Sequence, residues 1–156
     1  MQSLTIDAGV FIPAFARDLP FHDDYPKSGY LDLKSGDILW FYDDDEEAEI
    51  SAGISAEENA ALRQPVANNP DGYLKIPGLE HDEHHEILQE FLASDWTDNE
   101  SLKSWAEKAY SRSINRWKEK VDDDSAVSAY DDFRESKTKQ MAEDFLRSHG
   151  VEPQWK

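Results

Sequence analysis

The sequence has no cysteine in 156 residues, which excludes disulfide staples, thiolate nucleophiles and cysteine-ligated zinc together. Basic side chains are scarce as well: 16 Lys and Arg stand against 34 Asp and Glu, a formal charge of −18. At that charge a chain repels nucleic acid and anionic membranes at long range and favours basic protein surfaces. Long apolar runs are missing. The longest, Val10-Phe11-Ile12-Pro13-Ala14-Phe15-Ala16, is too short to span a bilayer, and Met1-Gln2-Ser3-Leu4-Thr5 lacks the basic start of a secretory signal. A cytoplasmic protein without a membrane anchor is expected. Phosphate-binding glycine loops, dinucleotide fingerprints and serine-nucleophile elbows are absent too.

What is present is enough for a core. Apolar residues make up 38% of the chain, and five Trp, six Tyr and seven Phe offset a modest aliphatic content, which argues against disorder despite the charge. The length suits one acidic domain, residues 1–156, of a size that typically buries about 68–70% of its unfolded surface. Ser3 to Ile6 reads as a short strand. Asp7 then caps a brief helix that carries Val10, Phe11 and Ala14 inward and is limited by Pro13. Pro20 and Pro26 mark a loop. The clearest local signal is a β-hairpin, Gly29 to Leu33 and Ile38 to Tyr42, around a turn in which Gly36 takes positive φ without steric cost. Both faces of the second strand are apolar, which predicts a strand covered on its two sides.

From Asp43 to Gly72 the composition shifts to Asp, Glu, Ala and Asn, and a mobile acidic loop is expected, interrupted by a short helix after the Ser55-x-x-Glu58 capping box. Tyr73 to Ile76 follows as another strand. After residue 79 the period changes from two to 3.6. His84, Ile87, Leu88, Phe91 and Leu92 form one stripe; Leu102, Trp105, Ala106 and Ala109 form a second behind a Thr97-x-x-Glu100 box; Ile114, Trp117 and Val121 form a third. A last helix runs from about Ser125 to His149 and stops at Gly150. The expected fold is α+β: a small antiparallel N-terminal sheet of about three strands (residues 1–78) packed on a helical bundle (79–150).

Tyr30-Leu31-Asp32-Leu33-Lys34-Ser35-Gly36-Asp37-Ile38, Asn69-Pro70-Asp71-Gly72-Tyr73-Leu74-Lys75-Ile76-Pro77 and Tyr130-Asp131-Asp132-Phe133-Arg134, with the tail Phe145 to Pro153, resemble the bacterial uncharacterised protein family 0158. The resemblance runs from about Ser28 to Trp155 and is most specific at the hairpin. Trp117 stands where the family pattern has Phe, and the histidines at 81 to 85 lie outside it. The resemblance implies the fold and carries over no catalytic residue.

Three segments are candidates for chemistry. In His81-Asp82-Glu83-His84-His85-Glu86, His81 and His85 lie one helical turn apart and zinc suits such a pair. The zincin pattern, however, needs Glu directly after the first His, and Asp82 is one methylene short. Otherwise the segment is an acidic helix start. Asp43, Asp44, Asp45, Glu46, Glu47 and Glu49 fail as a calcium loop, because Ala48 falls where glycine is needed and Ile54 where a bidentate Glu is needed. Lys108, Arg112, Arg116 and Lys120, with Trp105 and Trp117 nearby, have the composition of a single-strand nucleic-acid stripe. Ser111 to Ser113 breaks the helix, though, and salt bridges to the many carboxylates are the preferred reading. Trp105, Trp117, Tyr130 and Phe133 read as core.

The leading expectation is a non-enzymatic acidic protein that occupies a basic protein surface, of the inhibitor, antitoxin, immunity or anti-defence type, with nucleic-acid mimicry as its narrower form. Clusters 43 to 49 and 122 to 124 (Asp122, Asp123, Asp124), with Glu57, Glu58, Asp82, Glu83 and Glu86, supply the charge, and Trp155 is a candidate anchor. The alternatives are a metal-dependent hydrolase or nucleic-acid-processing enzyme using 81–86 or 108–120, and a passive acidic protein of a salt-adapted cell.

Overall fold

A computed structural model describes residues 1–17 and 27–156; the loop expected at Pro20 and Pro26 lies outside them. Among the described residues the fold is α+β, with seven α-helices and five strands. In chain order they are β1 (Gln2–Ile6), α1 (Ala8–Ala16), β2 (Lys27–Asp32), β3 (Ile38–Tyr42), α2 (Asp45–Ala52), α3 (Ala56–Asn68), β4 (Tyr73–Lys75), α4 (His81–Ala93), α5 (Glu100–Ala109), α6 (Ile114–Val121), α7 (Asp124–Ser148) and β5 (Val151–Trp155). Two compact units result, one of Met1–Gly78 with Ala142–Lys156, the other of Leu79–Met141.

In the first unit the hairpin forms as its turn residues dictate. β2 pairs antiparallel with β3 through Gly29↔Trp40 and Tyr30↔Leu39, and with β4 on its other side, giving the order β3-β2-β4. Gly36 takes φ 81°, and a Cβ there would collide with the Thr5 carbonyl oxygen, so glycine is required twice over. At Gly29 a Cβ would meet the Trp40 ring at 2.7 Å; the indole covers the space that the missing side chain leaves.

β1 does not join that sheet. It pairs in parallel with β5, Leu4 opposite Pro153 and Ile6 opposite Trp155, as a separate two-stranded ribbon. Leu4, Ile6 and Val151 are buried there with Phe11, Phe15 and Leu146, and the rings of Phe11 and Phe15 lie near those of Trp155 (6.0 Å) and Phe145 (5.6 Å) respectively. Arg147 holds β5 to the end of α7 by a two-pronged bond to Glu152, 3.0 and 3.1 Å, which draws the Glu152 carboxyl below its ordinary range.

Helix α1 corrects one expectation. Asp7 caps it, accepting from Gly9 N–H at 2.9 Å, but Pro13 lies inside it and the helix continues to Ala16; Val10 turns outward at 41% exposure. Pro13 removes one N–H, and the surviving bonds suffice in a helix whose Phe11, Ala14 and Phe15 are buried.

The second unit is helical throughout. Ile87, Leu88, Phe91 and Leu92 are buried as their spacing requires. Phe91 sits at the centre of an aromatic cluster, with ring distances of 4.9 Å to Trp96, 6.2 Å to Trp117, 5.6 Å to Tyr130 and 5.6 Å to Phe133. Trp117 is fully buried, and its indole N–H finds the Ala106 carbonyl at 2.8 Å. The start of α5 differs from the expected box: Asn99 is its cap, accepting from Leu102 N–H at 3.0 Å, while Thr97 accepts from Asn99 N–H. Gly150 follows α7 at φ 78°.

Candidate functional site

Where a loop interrupted by one short helix was expected over 43 to 72, the structure has two helices, α2 as well as the anticipated α3, and acidic caps and first turns help them form. Asp44 caps α2 by accepting from Glu46 N–H at 2.9 Å, and three acidic residues fill the first turn, where the helix dipole favours them. Ser55 and Glu58 make the capping box of α3, as their spacing predicts. Asn59, fully buried, ties both helices to the sheet. Its Oδ1 accepts from Tyr42 N–H at 3.0 Å, and its Nδ2 donates to the Tyr42 carbonyl at 2.9 Å and to Asp45 Oδ1 at 2.7 Å. The amide side chain thus pairs with the β3 backbone as a neighbouring strand would. Arg63 adds a 3.1 Å ion pair to Asp45. Foremost the Asn59 bond, and then Arg63, hold the Asp45 carboxyl below its ordinary range against some desolvation.

Residues 43 to 58 contain eight carboxylates and no Lys, Arg or His. Asp43 accepts from the Ser28 hydroxyl, Asp44 caps, and Asp45 is tied to Asn59 and Arg63. Ala48 is fully buried, and Glu46 and Ile50 lie two positions on either side of it, roughly 200° around the helix. The outward face of α2 therefore displays Glu46, Glu49 and, at 70% exposure, Ile50. Helix α2 also spreads Asp45 to Glu49 around its circumference, which is incompatible with a calcium-binding loop.

Asp122, Asp123 and Asp124 belong to the other unit. Asp122 takes a left-handed conformation, φ 46°, at the end of α6. Asp123 starts α7, accepting from the Ser125 hydroxyl and from Ala126 N–H at 2.9 Å, and these bonds, Ser125 first, lower its pKa. Asp122 and Asp124 are exposed. Trp155 is half-buried in β5, its indole N–H donating to Glu143 at 2.9 Å, so it is a packed residue with an engaged polar edge.

His81 and His85 converge at the start of α4. Their Nε2 atoms are 2.9 Å apart, and His85 Nδ1 lies 2.6 Å from the Tyr110 hydroxyl at the end of α5. Burial of His85, then its neighbour His81, push that imidazole below the ordinary histidine range, with Asp82 acting in the opposite sense. Among the described residues no group of three or more His, Asp or Glu is arranged to hold a metal ion. Glu83 is engaged in the helix cap, accepting from Glu80 N–H at 3.0 Å.

The basic stripe departs from expectation. Helix α5 ends at Ala109 and α6 begins at Ile114, with Arg112 at φ 62° between them, so the break is where Ser111 to Ser113 places it. Lys108, Arg112, Arg116 and Lys120 are nevertheless exposed and form no salt bridge to a described carboxylate; Lys118 alone pairs, with Asp131 at 3.1 Å. Trp105 is not core: it is 42% exposed, its N–H donates to the Val121 carbonyl at 3.2 Å, and Lys120 Nζ lies 6.0 Å from its ring. The indole therefore bridges α5 to α6 with one face toward solvent. Its amphipathic spacing resembles that of a core residue, and only the position of α6 reveals the difference.

The chain belongs to the uncharacterised protein family 0158 (UPF0158), whose model matches residues 1–156. No curated protein and no solved structure matches it. No described helix is long and apolar enough to cross a membrane.

Proposed function

We propose that this family member is a cytoplasmic, non-enzymatic acidic protein whose α2–α3 helix pair docks on a basic surface of another protein and occludes it, as an inhibitor, antitoxin, immunity or anti-defence protein does. The observation that carries this reading is the outward face of α2, where an isoleucine at 70% exposure stands beside Glu46 and Glu49 within a run of eight carboxylates that lacks any cation. An apolar anchor surrounded by like charge gives a short-range contact and a long-range attraction at one place, and complementary charge of this kind raises association rates toward about 10⁸–10⁹ M⁻¹s⁻¹ at low salt. The Asn59 and Arg63 bonds to Asp45 fix the helix pair before any partner arrives, which lowers the ordering cost of docking. A regular array of carboxylates on paired helices is also suited to imitating a phosphate backbone, and a nucleic-acid-binding partner is the narrower form of the proposal.

The test is capture from lysate at low salt, followed by binding kinetics on the recovered partner. Partner binding is expected to weaken steeply with salt, to lose at least about tenfold in association rate on Glu46→Lys with Glu49→Lys, and to dissociate faster with Ile50→Ala. All three side chains are exposed, so unchanged circular dichroism is expected. A partner that binds both variants like the parent, or binding indifferent to ionic strength, sinks the proposal.

A second reading rests on the stripe. Four exposed cations without a described carboxylate partner, of which Lys120 lies 6.0 Å from the ring of the half-exposed Trp105, in a chain of charge −18, suit a phosphate-bearing single strand that stacks a base on the indole. Quenching of Trp105 fluorescence by an oligonucleotide, lost in Trp105→Phe and weakened in Arg116→Ala, would favour it over the acidic-face reading.

A further inference from the structure

His81 and His85 point Nε2 at Nε2 across 2.9 Å. At that distance one ring donates its Nε2–H to the lone pair of the other, and the hydrogen bond aims both Nε2 atoms at one point, where a metal ion can replace the shared proton. On the far side of the His85 ring the Tyr110 hydroxyl sits 2.6 Å from Nδ1. A ring whose Nδ1–H donates to that oxygen keeps its Nε2 lone pair free and aimed at His81. Such outer hydrogen bonding is how histidine ligands are fixed in tautomer and direction at metal centres. Tyr110 arrives from the end of α5, 25 residues beyond His85, so the arrangement depends on the packing of α4 against α5 and not only on the spacing within α4.

The geometry points to a two-nitrogen chelate, His81 Nε2 and His85 Nε2 positioned by Tyr110, for a borderline divalent transition ion of the zinc, nickel or copper class. Zinc with Zn–N bonds of about 2.0–2.1 Å at a tetrahedral angle needs nitrogens roughly 3.3 Å apart, a few tenths of an ångström more than is seen, which a small side-chain rotation supplies. Imidazole selects this class over magnesium and calcium, which prefer oxygen donors. With two protein ligands and His81 exposed, the remaining coordination positions face outward. The site is thus an exchangeable one, open to water or to a donor from another molecule, unlike a closed structural zinc centre. It shares no residue with the acidic helix pair, and the two proposals stand or fall separately.

Calorimetric titration of the chelator-treated full chain with zinc, nickel and copper, each repeated in excess calcium, tests it. One equivalent is expected to bind despite the calcium, with copper tightest as the general affinity order requires. His81→Ala, at an exposed position, should weaken this binding at least about tenfold, Tyr110→Phe should weaken it by about 10-fold with the fold intact, and His149→Ala should leave it unchanged. No uptake by the parent chain, binding displaced by calcium, or equal binding by parent and His81→Ala would each overturn the assignment. His85→Ala completes the set if it folds; His81→Ala decides the matter alone if it does not.

Discussion

Asp45 shows how a single side chain can link local chemistry to a candidate interface. Its carboxylate accepts from Asn59 and pairs with Arg63, and both interactions favour the charged form. The sign follows from linkage. The folded pKa lies below the unfolded one, so the unfolded chain binds the proton more readily, and the stabilisation is fully present above the unfolded value and is lost as pH falls through the folded one. Thermal midpoints of the parent and of Asp45→Asn should therefore differ at neutral pH and converge as pH drops below the ordinary carboxylate range. A constant gap down to strongly acid pH would show that charge on Asp45 is irrelevant to it. At this scale the sequence is readable where partners are close along the chain: the His81 and His85 spacing, the Asp7 cap and the Ser55–Glu58 box are all local. Tyr110 beside His85 and Tyr42 beside Asn59 are not, because packing between elements brings together residues that are 25 and 17 positions apart in the chain.

Helices α2 and α3 bury little of their own. Ala48 is the fully buried apolar residue of the first and Asn59 the buried residue of the second. That is why α2 reads as loop and α3 is announced only by its capping box: without an apolar stripe there is no 3.6-residue period to detect, and the helices depend on caps, dipole and one buried amide. β5 escapes for a different reason. Pro153 demotes the segment as a strand, yet proline is tolerated in a two-stranded ribbon whose outer edge needs no donor, and the pairing with β1 is non-local. By contrast the hairpin and the later helices are legible, since their turn residues and apolar periods lie within single elements. The dependence on one amide makes a sharp prediction. Asn59→Ala removes the bonds to both peptide groups of Tyr42 and to Asp45 in a buried position, and should cost about 1–3 kcal/mol in urea denaturation. A loss under about 0.5 kcal/mol would mean that α3 is held by something else.

Charge is unevenly distributed along the molecule: residues 43–58 hold eight carboxylates and no cation, whereas residues 108–120 hold five cations and one carboxylate. A net charge of −18 strains any compact state through self-repulsion, and salt relieves it as the Debye length shrinks to about 8–10 Å near physiological ionic strength. The thermal midpoint should therefore rise between about 0.01 M and about 0.15 M sodium chloride and level off beyond, since screening is by then shorter than most spacings between surface charges. A chain adapted to brine would instead continue to gain stability into the molar range. Glu46→Lys with Glu49→Lys separates local from general repulsion. If the 34 carboxylates repel evenly, reversing two of them trims the salt-dependent gain only as far as the square of the net charge falls. If repulsion is concentrated on the α2–α3 pair, the same two reversals remove a much larger share of it. A variant with an undiminished gain would leave the helix pair as one acidic surface among many, and with it would go the reason for placing the docking face there.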